Sequence, residues 1–262
     1  MKRILGLLAL ATMLVTPSLA FAEQIGIYVA PKFIYGFTQM QGMKTSGAFD
    51  DTGTMYPFSK NIGNKTDNAY GGALAIGYDF NKKFQVPARM ELEYAIFSEV
   101  SGKKSWKARH PHPGWAPTER NYSSKQKLNI QTLFVNAYYD FHNSTAFTPY
   151  VGGGLGFAFI HSKGSFIHDN HLLDPNQHLG LSLGSKTSTN FAWNVGAGVA
   201  YAFTDYISLD LSYRFAGLGK AETKSVSGQT ISGASFDETW TVKSKTRDIY
   251  MHQVMLGLRV TF

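Results

Sequence analysis

The last fifteen residues, Asp248 to Phe262, restrict the fold most sharply. Tyr250, Val254, Leu256, Leu258, Val260 and Phe262 fall at even positions, with Gln253, Gly257, Arg259 and Thr261 at odd positions between them. A helix would spread these apolar residues around its circumference, whereas a strand sends alternate side chains to opposite faces. One apolar and one polar face, running to an aromatic last residue, is the pattern of a strand between lipid and a polar lumen.

Seven further segments carry the same alternation: Ile25 to Thr38, Tyr70 to Phe80, Val86 to Phe97, Asn129 to Phe141, Thr148 to Ile160, Thr189 to Phe203 and Tyr206 to Phe215. Their connections alternate in length. Asn81 to Gln85, His142 to Phe147 and Thr204-Asp205 are short, while about 41–66, 98–124, 161–186 and 217–247 are long. Short turns on one side and long loops on the other are the asymmetry of outer-membrane barrels, with the long loops outside and both termini in the periplasm. The expectation is an all-β, eight-stranded antiparallel up-and-down transmembrane barrel spanning 23–262. Ten strands remain the alternative if a hairpin around Leu179 to Leu183 or Val226 to Val242 is inserted; otherwise these stretches extend hairpins beyond the membrane. A soluble β-sandwich would need a second sheet to cover the Phe, Tyr and Leu faces.

Residues 1–22 read as a secretory leader, with Lys2 and Arg3, an apolar run from Ile4 to Val15 and the small-residue site Ala20-Phe21-Ala22. Its removal lowers the formal net charge from +7 to +5. The chain has no cysteine, so disulfide and thiolate chemistry are excluded. After the leader no apolar run approaches the roughly 18 residues that a helical span requires.

Within this pattern, Asn136-Ala137-Tyr138-Tyr139-Asp140-Phe141, Thr148-Pro149-Tyr150-Val151-Gly152-Gly153-Gly154-Leu155-Gly156 and the Phe-terminated last strand resemble the opacity-protein family of eight-stranded outer-membrane barrels. The transmembrane domain of outer membrane protein A is a more distant likeness. The resemblance implies that Tyr250, Val254, Leu256, Leu258, Val260 and Phe262 form the signal read by the outer-membrane assembly machinery. It also implies an adhesin, an envelope stabiliser or a surface antigen.

The inward positions collect Lys32, Arg89, Arg214 and Arg259 against Asp79, Glu91, Glu93, Asp140 and Asp210. Enclosed charges must pair, since an isolated buried charge is costly. Gly152, Gly154, Gly156, Gly196 and Gly198 also point inward, so one half of the lumen is expected to hold water. A narrow channel or small-ligand carrier is the alternative function that follows from it.

Between Ser98 and Lys127 the chain is basic, with Lys103, Lys104, Lys107, Arg109 and Arg120 interleaved with Trp106, Trp115 and Tyr122. Such a surface attracts polyanions through salt-sensitive charge. The expected partners are outer-membrane lipid and lipopolysaccharide and a host glycan or matrix, with no specific nucleic acid. His110, His112, His161, His168, His171 and His178 lack the His-Glu-x-x-His spacing of a metalloprotease, and no metal or cofactor is expected. His161-Ser162 sits at rim height, but adjacent strand residues face opposite ways, so no catalytic pair and no enzyme is expected.

Overall fold

The computed structural model describes residues 25–51, 54–112, 115–169, 178–232 and 236–262. The expected leader lies outside them. Ten strand segments build one antiparallel sheet: β1 (Ile27–Asp51), β2 (Thr54–Asp79), β3 (Ala88–Phe97), β4 (Val100–His112), β5 (Trp115–Asp140), β6 (Phe147–Asp169), β7 (His178–Ala202), β8 (Ile207–Glu222), β9 (Val226–Ser232) and β10 (Phe236–Thr261). β1 pairs with both β2 and β10, which closes the sheet on itself. β3 and β4 are successive parts of one course along β5, and β9 runs beside β10 beyond the end of β8. The ring therefore has eight members.

All eight alternating segments lie in this ring with the expected faces. Ile76, Leu92, Val135, Leu155, Val195, Leu211 and Leu256 point outward and are exposed, forming an apolar band. Aromatic girdles edge the band, as in membrane barrels. Towards the long hairpins the girdle includes the pairs Tyr35–Tyr70, Trp193–Phe215 and Phe215–Tyr250. Towards the short turns it includes Tyr78–Phe80, Tyr139–Phe141 and Phe147–Tyr201. In the last strand Val254, Leu256 and Leu258 join the band. Val260, paired with Val29 on one side and Ile207 on the other, is instead buried beneath its neighbours.

The short connections agree with their turn chemistry. A four-residue helix, α1 (Asn81–Phe84), links β2 to β3 and ends on Gln85 at φ 54°. The Asn143 side chain closes the next turn, accepting from Thr145 N and donating to the Phe147 carbonyl, both at 2.8 Å.

The four stretches expected as loops are instead mostly strand. A membrane needs only about 9–11 residues per tilted strand, yet β1, β2, β5, β7 and β10 have 25 or 26. The excess forms a head above the band, and it is ordered by a core of its own. Along β5, which keeps one parity throughout, the inward residues read Asp140, Tyr138 and Asn136, then Phe134, Thr132, Ile130 and Leu128, then Gln126 and Ser124, then Tyr122. The barrel interior is layered in that order. The charged layer lies within the band, and an apolar layer with Met40, Met43, Phe97, Ile160 and Leu218 seals it. A hydroxyl layer follows, where Thr45 Oγ1 lies 2.8 Å from Ser124 Oγ and 3.1 Å from Ser244 Oγ. An aromatic layer with Tyr122, Phe166, Leu181, Leu183 and Val242 caps it.

At the height of the apolar layer several strands change parity. Register shifts fall between Met40 and Lys44 in β1, between Thr246 and Tyr250 in β10, and where Ser162 and Gly164 of β6 meet Lys186 and Leu183 of β7. Three glycines at this height take positive φ: Gly42 at 60°, Gly63 at 85° and Gly219 at 82°. These are β-bulges, which cluster at barrel rims. Each returns the apolar residues beyond it to the interior.

Above the bulges the ring divides into two walls. One holds β2, β1, β10 and β9, the other β4, β5, β6 and β7. Among the described residues the β2–β4 seam has no ladder, and the Asp67 carboxylate accepts from Ser101 N across it at 2.7 Å. The opposite seam is held by Asn190 Nδ2, which donates to the Leu218 and Lys220 carbonyls, and by a single bridge between Gly184 and Lys224.

Candidate functional site

Two clusters could carry function: the charges inside the band and the lysines outside the head.

Inside, acid meets base between neighbouring strands, over an intervening strand and across the lumen. Lys32 Nζ donates to Glu91 Oε1 at 2.5 Å and to Glu93 Oε2 at 2.6 Å. Arg214 Nη1 donates to Glu93 Oε1 at 2.6 Å, and its Nε to Gln253 Oε1 at 2.7 Å. Glu91 also accepts from Tyr138 at 2.7 Å and from Asn136 at 3.2 Å. Arg89 grips Asp140 with two bonds of 2.7 and 2.9 Å, the bidentate geometry in which a guanidinium binds a carboxylate most strongly. Arg259 is looser, 3.7 Å from Asp210. Asp79 stays outside this network: its carboxylate accepts from Asn81 N in the turn to α1.

The expected water-filled half is not there. Inward glycines serve as slots for large side chains on the next strand. A Cβ on Gly152 would lie 2.3 Å from Tyr138, one on Gly154 1.9 Å from the Asn136 amide, and one on Gly198 2.6 Å from Tyr150. Sequence shows small residues on two strands but not the tilt that lets side chains from adjoining strands lean over them. Arg89 then stacks over both Tyr138 and Tyr150, with ring centres at 5.1 and 4.8 Å. Beside Tyr28, Asp210 and Arg259 lies a cavity of about 20 Å³, room for roughly one water.

Outside, register decides which lysines share a face. Lys103 of β4 lies directly opposite Lys125 of β5, and Lys107 is exposed two pairs further along, 3.7 Å from Glu119. Lys104 has the opposite parity. It pairs with Ser124 on the inward face and is half-buried, so it does not share the outward surface of its neighbours. Arg109 and Arg120 are placed by backbone register only, across from Glu119 and Ala108. Lys163, 38 residues from Lys125 in sequence, joins the same face because it pairs with Lys127. Sequence reasoning missed it, since no local signal sets cross-strand register. Lys127 also meets Glu99 at 2.5 Å.

On the other wall Lys44 is directly opposite Lys245, and Lys245 is opposite Glu222. Glu222 accepts a short bond from Lys186 across the β7–β8 seam. That bond, helped by the charge of Lys186, Lys245 and Lys220, holds the Glu222 carboxyl below its ordinary range.

Of the histidines, His161 lies 3.0 Å from the Thr187 hydroxyl, while Ser162 is buried on the inward face and accepts from Gln126. The two belong to opposite faces and cannot act together. His171 lies outside the described residues, and His110, His112, His168 and His178 are placed by backbone only. No group of three or more metal-ligating side chains occurs among the described residues.

Comparison with known proteins agrees with this architecture. Outer membrane protein PagN of Salmonella typhimurium is 33% identical over 195 residues, covering 74% of this chain and 75% of PagN. A candidate adhesin of Rickettsia canadensis is 29% identical over 154 residues, covering 58% of this chain and 61% of that one. Among solved structures, Neisserial surface protein A aligns over 90% of this chain and 97% of its own, with 16% identity and a TM-score of 0.44. Residues 6–237 match the model of the outer membrane protein beta-barrel domain, and the chain belongs to that family of bacterial outer-membrane barrels.

Proposed function

We propose that this protein is a surface adhesin whose head binds sulfated host glycans through Lys103, Lys107 and Lys125. The directly opposed pair Lys103 and Lys125 carries the reading. Like charges facing each other across a ladder destabilise a sheet, and neither lysine has an ion-pair partner among the described residues. A bound polyanion would offset that repulsion. Lys107 extends the row, and its contact with Glu119 is exposed and long, so a sulfate could displace the carboxylate. The similarity to a candidate adhesin points the same way.

The test is binding of heparin and of cultured host cells to bacteria displaying the full chain. Replacing Lys103, Lys107 and Lys125 by Gln should weaken heparin binding at least about tenfold and flatten its salt dependence, because each lysine contributes a screened charge contact. Unchanged binding by the triple variant would sink the proposal.

A further inference from the structure

The lysines at the base of the head form a second basic surface at a different height. Lys127 pairs with Lys163 on the outward face, whereas Lys186 pairs with the inward Ser162. Lys186 reaches Glu222, Glu222 pairs with Lys245, and Lys245 pairs with Lys44. The row thus covers β5 and β6 on one wall and β10 and β1 on the other, with Lys186 tied to it through Glu222 at the β7–β8 seam. It contains two directly opposed lysine pairs. Glu99 and Glu222 are its ion-pair partners among the described residues, while Lys44, Lys163 and Lys245 are exposed and have none.

Its height identifies a ligand. On each strand the row stands five to seven residues above the girdle, from Tyr250 to Lys245, Phe157 to Lys163 and Phe37 to Lys44. With a rise of ~3.4 Å per residue and a tilt of ~35–45°, it sits roughly 12–20 Å beyond the girdle. A phospholipid headgroup layer is only about 5–8 Å deep on each side, so its phosphates end below the row. An anion that reaches the row must be borne on sugars rising further out from the outer leaflet.

We propose that Lys44, Lys127, Lys163 and Lys245 form a collar that binds the phosphorylated core saccharide of lipopolysaccharide. The collar shares no residue with the glycan-binding row, which begins at the next outward pair above Lys127. Ligand-bound, it would anchor the head against the leaflet and offset the repulsion of both opposed pairs.

The experiment uses the full-length protein in phosphatidylcholine vesicles, titrated with lipopolysaccharide bearing its complete core, with lipid A alone, with enzymatically dephosphorylated lipopolysaccharide and with phosphatidylglycerol. Core-bearing lipopolysaccharide should bind at least tenfold more tightly than the other three and raise the thermal midpoint of the head. The triple variant K44Q/K163Q/K245Q should lose that preference, whereas the variant K103Q/K107Q/K125Q should keep it. Because these collar residues are exposed, the variant should fold, which an unchanged shift on heating in gel electrophoresis would confirm. Equal binding of lipid A or phosphatidylglycerol would overturn the proposal, as would an unaltered preference in the collar variant.

Discussion

Glu93 is fully buried between Lys32 and Arg214, each 2.6 Å away, and its removal would leave both cations with less than their counter-charge. Breaking a buried pair in this way costs about 3–5 kcal/mol. Glu93→Leu should therefore lower the urea midpoint of the refolded barrel by far more than Asp79→Leu, since Asp79 bonds only a turn amide. Equal midpoints would show that the charges pair interchangeably. The inward glycines make a companion case. Gly154→Val places methyls where the Asn136 amide sits, and such overpacking costs about 1–3 kcal/mol. The charged residues were legible in sequence because each band strand keeps one parity from end to end. Their partners were not, because Glu93 and Arg214 meet across the lumen and no alternation encodes that.

At the scale of elements, the head rests on a few irregular positions. Deleting Gly42 from β1 removes the extra residue of its bulge and turns Met43 and Thr45 outward, since a one-residue slip inverts every side chain beyond it. The variant should insert and keep its heat-modifiable band, while trypsin should cut its head faster than that of the parent protein. The β7–β8 seam gives a prediction for pH. Glu222 has a lowered carboxyl pKa in the folded head, so its clamp with Lys186 is present above the ordinary carboxylate range and is lost as pH falls through the lowered value. The protection factor of the Lys224 amide, which bonds the Gly184 carbonyl beside that clamp, should drop only on strong acidification. In Glu222→Gln it should be low at every pH. Here the sequence was a poor guide for a definite reason. Residues such as Leu181 and Val242 lie out of phase with the segments below them, and only Gly42, Gly63 and Gly219 hinted that the phase is reset.

For the molecule as a whole, the layered interior yields a prediction about conduction. Ions would have to cross the apolar layer of Met40, Phe97, Ile160 and Leu218 above the charged one, and every one of these side chains is buried. Planar-bilayer recordings of the parent protein should show no steady conductance, and Arg259→Ala should not create one, since it only enlarges the small cavity below that layer. A stable open level in either would mean that the apolar layer parts. The same construction has a further consequence for how such a protein changes over generations. Since the bulges separate the phase of the head from the phase of the band, a lineage could replace everything beyond Gly42, Gly63 and Gly219 and inherit the insertion machinery unaltered. Those three glycines are the natural junctions for chimaeras, and heads from distant relatives joined there should still reach the cell surface.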